Sequence, residues 1–204
     1  MRKLLFTLVL AAVLWTVMFC PVTAPYVDFW WMMTASALTL CVLSSVFNRG
    51  WWKQMRWSWS NVAWGITIAV VLWVIFWVGD KVAAWLFSFA RSQVSAIYGM
   101  KEGWSPWLLS VLMLVLIGPA EEIFWRGYVQ RSLSLRWGPD AGFIVSTLCY
   151  ALVHVGSLNF MLVMAALTAG AVWGLLYRLF PHRFSAIILS HALWDVAVFV
   201  VFPI

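Results

Sequence analysis

The chain has 204 residues and a formal net charge of +6, with 65% hydrophobic and only 10% charged residues, against roughly 45–50% and 25% in soluble globular domains. Mean hydropathy is +0.94, and tryptophan alone occurs 17 times. A globule of this size has too little interior to hide that much apolar surface, so a cytosolic enzyme, a secreted disulfide scaffold and a disordered tail are excluded, and most of the chain must meet lipid.

Backbone in lipid has to satisfy its own hydrogen bonds, and the apolar runs here are continuous rather than alternating with period two, which predicts helices over a barrel. The expected fold is therefore all-α, a polytopic transmembrane bundle forming a single integral membrane domain over residues 1–204. Arg2 and Lys3 precede an apolar run that resembles a signal peptide. The run continues to Cys20, long enough to span, and Pro21 follows it, so residues 4–20 are read as a retained signal anchor. The next spans are expected at about 29–47, 62–79, 105–125, 139–155, 159–179 and 184–203. The stretch 82–100 is apolar but carries Arg91, Ser92 and Gln93 at its centre, where a charge at mid-bilayer is costly. It either lies on the membrane, giving seven spans, or crosses as an eighth.

Charge favours seven. With the N-terminus inside and 82–100 on the outer face, ten of the thirteen Lys and Arg residues fall on the cytoplasmic side, as the positive-inside tendency requires. The net positive charge is thus assigned to loops, and no basic run suggests nucleic acid. Trp51-Trp52-Lys53-Gln54-Met55-Arg56-Trp57 reads as an aromatic and cationic interface anchor. Cys20, Cys41 and Cys149 sit in apolar runs without C-x-x-C spacing and read as buried small hydrophobes.

Ionisable residues inside apolar runs are the informative ones. Glu121 and Glu122 follow Gly118-Pro119-Ala120, where the proline removes a backbone donor and should kink the helix just before the acids. Glu122 and Arg126 are four apart and can pair on one face. Glu121 points about 100° away, lacks a local cation, and is left free to act as a base. A reversal at Trp137-Gly138-Pro139 would make a helical hairpin in which Glu121, 17 residues before Gly138, and His154, 16 after it, reach nearly the same height. Tyr150 lies four before His154, and His191 four before Asp195. With Arg183 and Arg126 at the inner interface, His191 lies about 12 Å and Glu121 about 7.5 Å deep at 1.5 Å per residue. The expected site is a pocket in the cytoplasmic half of the membrane, open to water from inside. His182, in the loop Pro181-His182-Arg183, stands outside it.

A carboxylate with a histidine can activate water as a general base, and a second polar pair can stabilise an oxyanion. No serine has a nucleophile-elbow context, which points to water attack on an amide. Zinc is the rival chemistry, with Glu121, His154 and His191 as three ligands, although the H-E-x-x-H spacing is absent.

Glu121-Glu122-Ile123-Phe124-Trp125-Arg126 matches E-E-x-x-x-R, Tyr150-Ala151-Leu152-Val153-His154 matches F-x-x-x-H with Tyr for Phe, and His191-Ala192-Leu193-Trp194-Asp195 matches H-x-x-x-N/D. In this order, over roughly residues 105–200, the chain resembles the CAAX protease and bacteriocin-processing (Abi) family of intramembrane glutamate proteases. The resemblance implies a metal-free, glutamate-dependent endopeptidase in which Glu121 activates water with help from His154, His191 and Asp195 line the oxyanion site, and Glu122, Arg126 and Tyr150 support them. Asp195 stands where the eukaryotic CAAX enzymes carry Asn. An ionised Asp would repel an oxyanion, so it works only when protonated, or by orienting His191.

The implied partners are the lipid bilayer and a peptide or protein substrate delivered at the membrane, with leader-peptide processing, surface-protein sorting and bacteriocin immunity among the possible settings. The expected location is a bacterial inner membrane with the N-terminus cytoplasmic. Two rival readings are a non-catalytic scaffold or regulator of the same fold and a proton-relaying transporter. Against the transporter, no inverted repeat is present and the ionisable residues cluster in the second half. Gly170-x-x-x-Gly174 has small-residue packing spacing, read as an intramolecular contact. No motif speaks for an oligomer.

Overall fold

The computed structural model describes residues 1–204. It is all helical, with seven helices long and apolar enough to cross a membrane. The first two are α1 (Arg2–Phe19) and α2 (Phe29–Phe47), then α3 (Trp59–Leu86) and the short α4 (Ala90–Gly99). They are followed by α5 (Pro106–Trp137), α6 (Pro139–Leu152), α7 (Phe160–Leu179) and α8 (Phe184–Val196). Only 59 of the 204 residues are buried, while Leu5, Val42, Val70 and Leu148 are exposed. An apolar outside of this kind is stable only in lipid, and the chain is an integral membrane protein.

Helix starts follow their capping residues. The Asp28 carboxylate accepts from the backbone N–H of Trp30 and Trp31, both at 3.0 Å, to open α2. The Asn159 side chain accepts from Leu162 N–H at 2.9 Å to open α7. Pro106 and Pro139 stand in the first turns of α5 and α6, where a missing N–H costs nothing. Gly138 joins those two helices at φ +88°, a backbone that a side chain would strain. The hairpin expected there is present, its arms close enough that a Cβ on Gly142 would strike Ser134.

Three differences from the sequence expectation bear on the site. First, α3 runs to Leu86 and absorbs the start of the stretch 82–100, and the remainder forms α4. At 10 residues α4 is about 15 Å long, too short to cross. Second, α5 is 32 residues long and continues well past residue 125. Third, Arg126 is not at an interface but is 2% exposed inside the bundle. Ten residues of helix still follow it before Trp137.

Hydrogen bonds identify the two ends of the bundle. At one, Trp30 Nε1–H donates to the Met100 carbonyl, Asn159 Nδ2 to that of Gln93, and Lys101 Nζ to that of Phe199. At the other, Asn48 Nδ2 donates to the Gly127 carbonyl, Arg131 to Asn48 Oδ1, and Arg183 to Asn61 Oδ1. Below, these are the α4 end and the basic end.

Candidate active site

The polar centre is built where α5, α6, α7 and α8 meet. Instead of breaking at Pro119, α5 loosens into wide i→i+5 turns over Met113–Ile117 and again over Ile123–Gln130, a device common at functional sites. Gly118 lets α5 approach α8 closely: a Cβ there would lie 2.8 Å from Ala192 Cα. That approach carries Glu122 onto His191.

Glu122 is completely buried. Its Oε1 accepts from Arg126 Nη1 at 2.7 Å and from His191 Nδ1 at 2.6 Å. The pairing with Arg126 is the one the four-residue spacing predicts, whereas the pairing with His191 joins two helices and has no local signature. Arg126 Nη2 donates to the Gly170 carbonyl at 3.3 Å, and the guanidinium lies between the rings of Tyr150 and Trp173, 5.1 and 5.6 Å from their centroids. A buried cation needs this enclosure of anion, carbonyl and π faces. His191 stacks on Trp173 at 3.9 Å, and its Nε2 lies 3.5 Å from Asp195 Oδ1. Since Glu122 can only accept, Nδ1 carries the proton there and Nε2 is turned to Asp195.

Glu121 points elsewhere, as the helical offset predicts. Its Oε2 accepts from the Tyr150 hydroxyl at 3.0 Å. The expected neighbour, His154, is not bonded to it: its Nδ1 meets the Tyr150 carbonyl at 2.8 Å, and its Nε2 accepts from Trp15 Nε1–H at 3.1 Å. A carbonyl only accepts and an indole only donates. His154 is therefore neutral, protonated on Nδ1, with both ring nitrogens engaged. The α5–α6 hairpin brings Tyr150 onto Glu121 because the long phenol reaches across, while His154 faces α1.

Glu121, Tyr150, His154, His191 and Asp195 all line one cavity of about 530 Å³, in which 28 of 35 lining residues are hydrophobic. The cavity does not open toward the Arg126 and Arg183 end, where the depth argument expected it. From Glu121 it continues along Ile117 and Met113, Phe160 to Ala169, and Ile75 to Phe87, beneath Val94, Ile97 and Tyr98 of α4. It runs toward the α4 end and away from Arg126, Arg131 and Arg183. Arg126 does not mark an interface, because it is sealed inside the bundle. Glu121 lies 15 residues from Pro106 and 16 from Trp137, at the middle of α5.

All seven residues singled out from the sequence thus come together around this centre. Not legible were Trp15, which reaches His154 from α1, Trp173 beneath His191, and Gln130, whose Nε2 donates to the Gly174 carbonyl at 2.8 Å. Gly170 and Gly174 pack within the chain, against Tyr150 and Phe143. No group of three His, Cys, Asp or Glu side chains stands close enough to hold a metal ion.

Comparison with known proteins bears on the same segment. Residues 103–197 match the protein family described as Type II CAAX prenyl endopeptidase Rce1-like. No curated protein and no solved structure matches the chain.

Proposed function

We propose, from the match of residues 103–197 to the Rce1-like CAAX endopeptidase family, that the protein is an intramembrane endopeptidase of the glutamate type. Glu121 is its general base, taking a proton from a water that attacks the amide carbonyl. The Tyr150 hydroxyl holds Oε2 of that carboxylate at 3.0 Å and leaves the other oxygen to the water. His191, fixed through Nδ1 on Glu122, holds its Nε2 at the cavity wall 3.5 Å from Asp195 Oδ1 and, when protonated there and released by Asp195, donates to the oxyanion. Asp195 orients His191 through Nε2 until substrate enters, and protonation of the imidazole offsets its charge beside the oxyanion. His154 assists water activation once Trp15 releases its Nε2.

The observation that carries this reading is the setting of Glu121: a carboxylate with one oxygen oriented by a phenol, at the inner end of an apolar cavity shared with two histidines. The mostly hydrophobic lining favours a peptide held at the membrane by apolar groups. The geometry supports water activation without zinc, because the three candidate ligands face different partners.

The test is cleavage by the purified protein of a prenylated fluorogenic peptide and an unprenylated peptide library, beside Glu121→Gln, with and without a strong chelator. Cleavage that disappears in Glu121→Gln and survives the chelator is the expected outcome. Loss with the chelator restores the zinc reading. No cleavage by well-folded protein replaces proteolysis with the scaffold reading.

A further inference from the structure

The two ends of the bundle differ in charge as sharply as they differ in openness. The basic end carries Arg2 and Lys3 before α1, Arg49, Lys53 and Arg56 between α2 and α3, and Arg131 and Arg136 at the close of α5. Arg178 and Arg183 between α7 and α8 join them, against a single acid, Asp140. The α4 end carries Lys81, Arg91 and Lys101 against Asp28, Asp80 and Glu102, so its charges cancel. Arg91 there is paired with Asp80 at 2.9 Å. All these connections are short, which is the condition under which Lys and Arg decide which side stays in the cytoplasm.

The cavity that holds Glu121 opens beneath α4, at the neutral end. We infer that the active cavity is entered from the non-cytoplasmic face of the membrane, and that its substrates are peptides whose apolar flank reaches that leaflet. The second half rests on the proteolytic reading proposed above, while the first stands on charge and geometry alone. Apolar side chains such as Phe87, Ile97 and Phe160 flank the way in. A hydrophobic peptide segment and a lipid anchor present the same chemistry to them. The basic end, by contrast, is closed over the site by the buried chain Arg126–Glu122–His191 and by Gln130 on Gly174.

The experiment uses the full chain in bacterial membrane vesicles, with Cys20, Cys41 and Cys149 changed to Ser. Single cysteines are introduced as Phe87→Cys at the cavity mouth, Ser95→Cys on the exposed face of α4, and Lys53→Cys at the basic end. A membrane-impermeant maleimide is expected to label the first two several-fold more in right-side-out vesicles and the third more in inverted ones. The opposite pattern, or equal labelling from both sides, overturns the inference. Ser95→Cys keeps the test open if Phe87→Cys fails to fold. In a second arm, an acylated peptide and a peptide with a transmembrane segment are each added from outside. Protection of Phe87→Cys by one identifies the apolar source, and protection by neither overturns the substrate half. Neither arm needs turnover, so a failure here is distinct from a failure of the protease reading.

Discussion

The Glu122 side of the site and the Glu121 side sit one residue apart in sequence and obey different rules. Around Glu122 each charge is enclosed: the carboxylate holds Arg126 and His191 at once, and the arginine adds a carbonyl and two aromatic faces. Around Glu121 the contacts are few and neutral, one phenol on the carboxylate and, on the neighbouring His154, one indole and one backbone carbonyl, at the wall of a cavity. Equal residue types have been given unequal surroundings, the usual way in which two carboxylates acquire two roles. The Glu122 network fixes where α5, α7 and α8 stand. The Glu121 side is left with the freedom to exchange a partner for water or substrate.

Substitution of each glutamate should separate these roles. Glu122→Ala leaves Arg126 and His191 buried without their anion, and breaking a buried pair costs about 3–5 kcal/mol. The expected result is a large fall in melting temperature in detergent, or loss of the monodisperse protein altogether. Glu121→Gln keeps shape and most hydrogen bonding. Its melting temperature should stay near that of the parent while the cleavage rate falls by about 10²–10⁴, the usual contribution of a general base. If both variants melt alike, the division drawn here between scaffold and reactive side is wrong.

The same division explains what could be read from sequence. Local relations were legible: the Glu122–Arg126 pair, the opposed face of Glu121 and the hairpin at Gly138 all follow from helical period and turn chemistry. So do the seven helices long and apolar enough to cross a membrane. What escaped was set by contacts between helices far apart in sequence. Trp15 and His154 are 139 residues apart, and Glu122 and His191 are 69 apart. The direction of the cavity escaped for a related reason. An arginine in an apolar run marks the membrane surface only where nothing inside can hold it, and here a buried carboxylate and two rings make an interior position tolerable.

Smaller changes sharpen the comparison. A Cβ on Gly170 would lie 3.0 Å from Tyr150 Cδ1, so Gly170→Ala presses on the residue that links the two sides. Overpacking of this kind costs about 1–3 kcal/mol. Gly79→Ala is the control, because nothing lies within 4 Å of its added methyl, and it should leave the melting temperature nearly unchanged.

The smallest change in structure is Trp15→Phe, which keeps the ring and removes the indole N–H. One net hydrogen bond is lost, worth about 0.5–1.5 kcal/mol, and a slight fall in melting temperature is expected. Its effect on catalysis should have the opposite sign. In the structure His154 has no nitrogen to spare, because Nδ1 is bound to the Tyr150 carbonyl and Nε2 accepts from Trp15. Water or substrate must displace the indole before Nε2 can take part, and Trp15→Phe removes that competitor. kcat/KM should therefore rise, by at most about tenfold, since tenfold corresponds to 1.36 kcal/mol and one neutral hydrogen bond offers no more. A fall in kcat at unchanged KM would mean that Trp15 holds His154 in its working orientation and that α1, outside residues 103–197, completes the site.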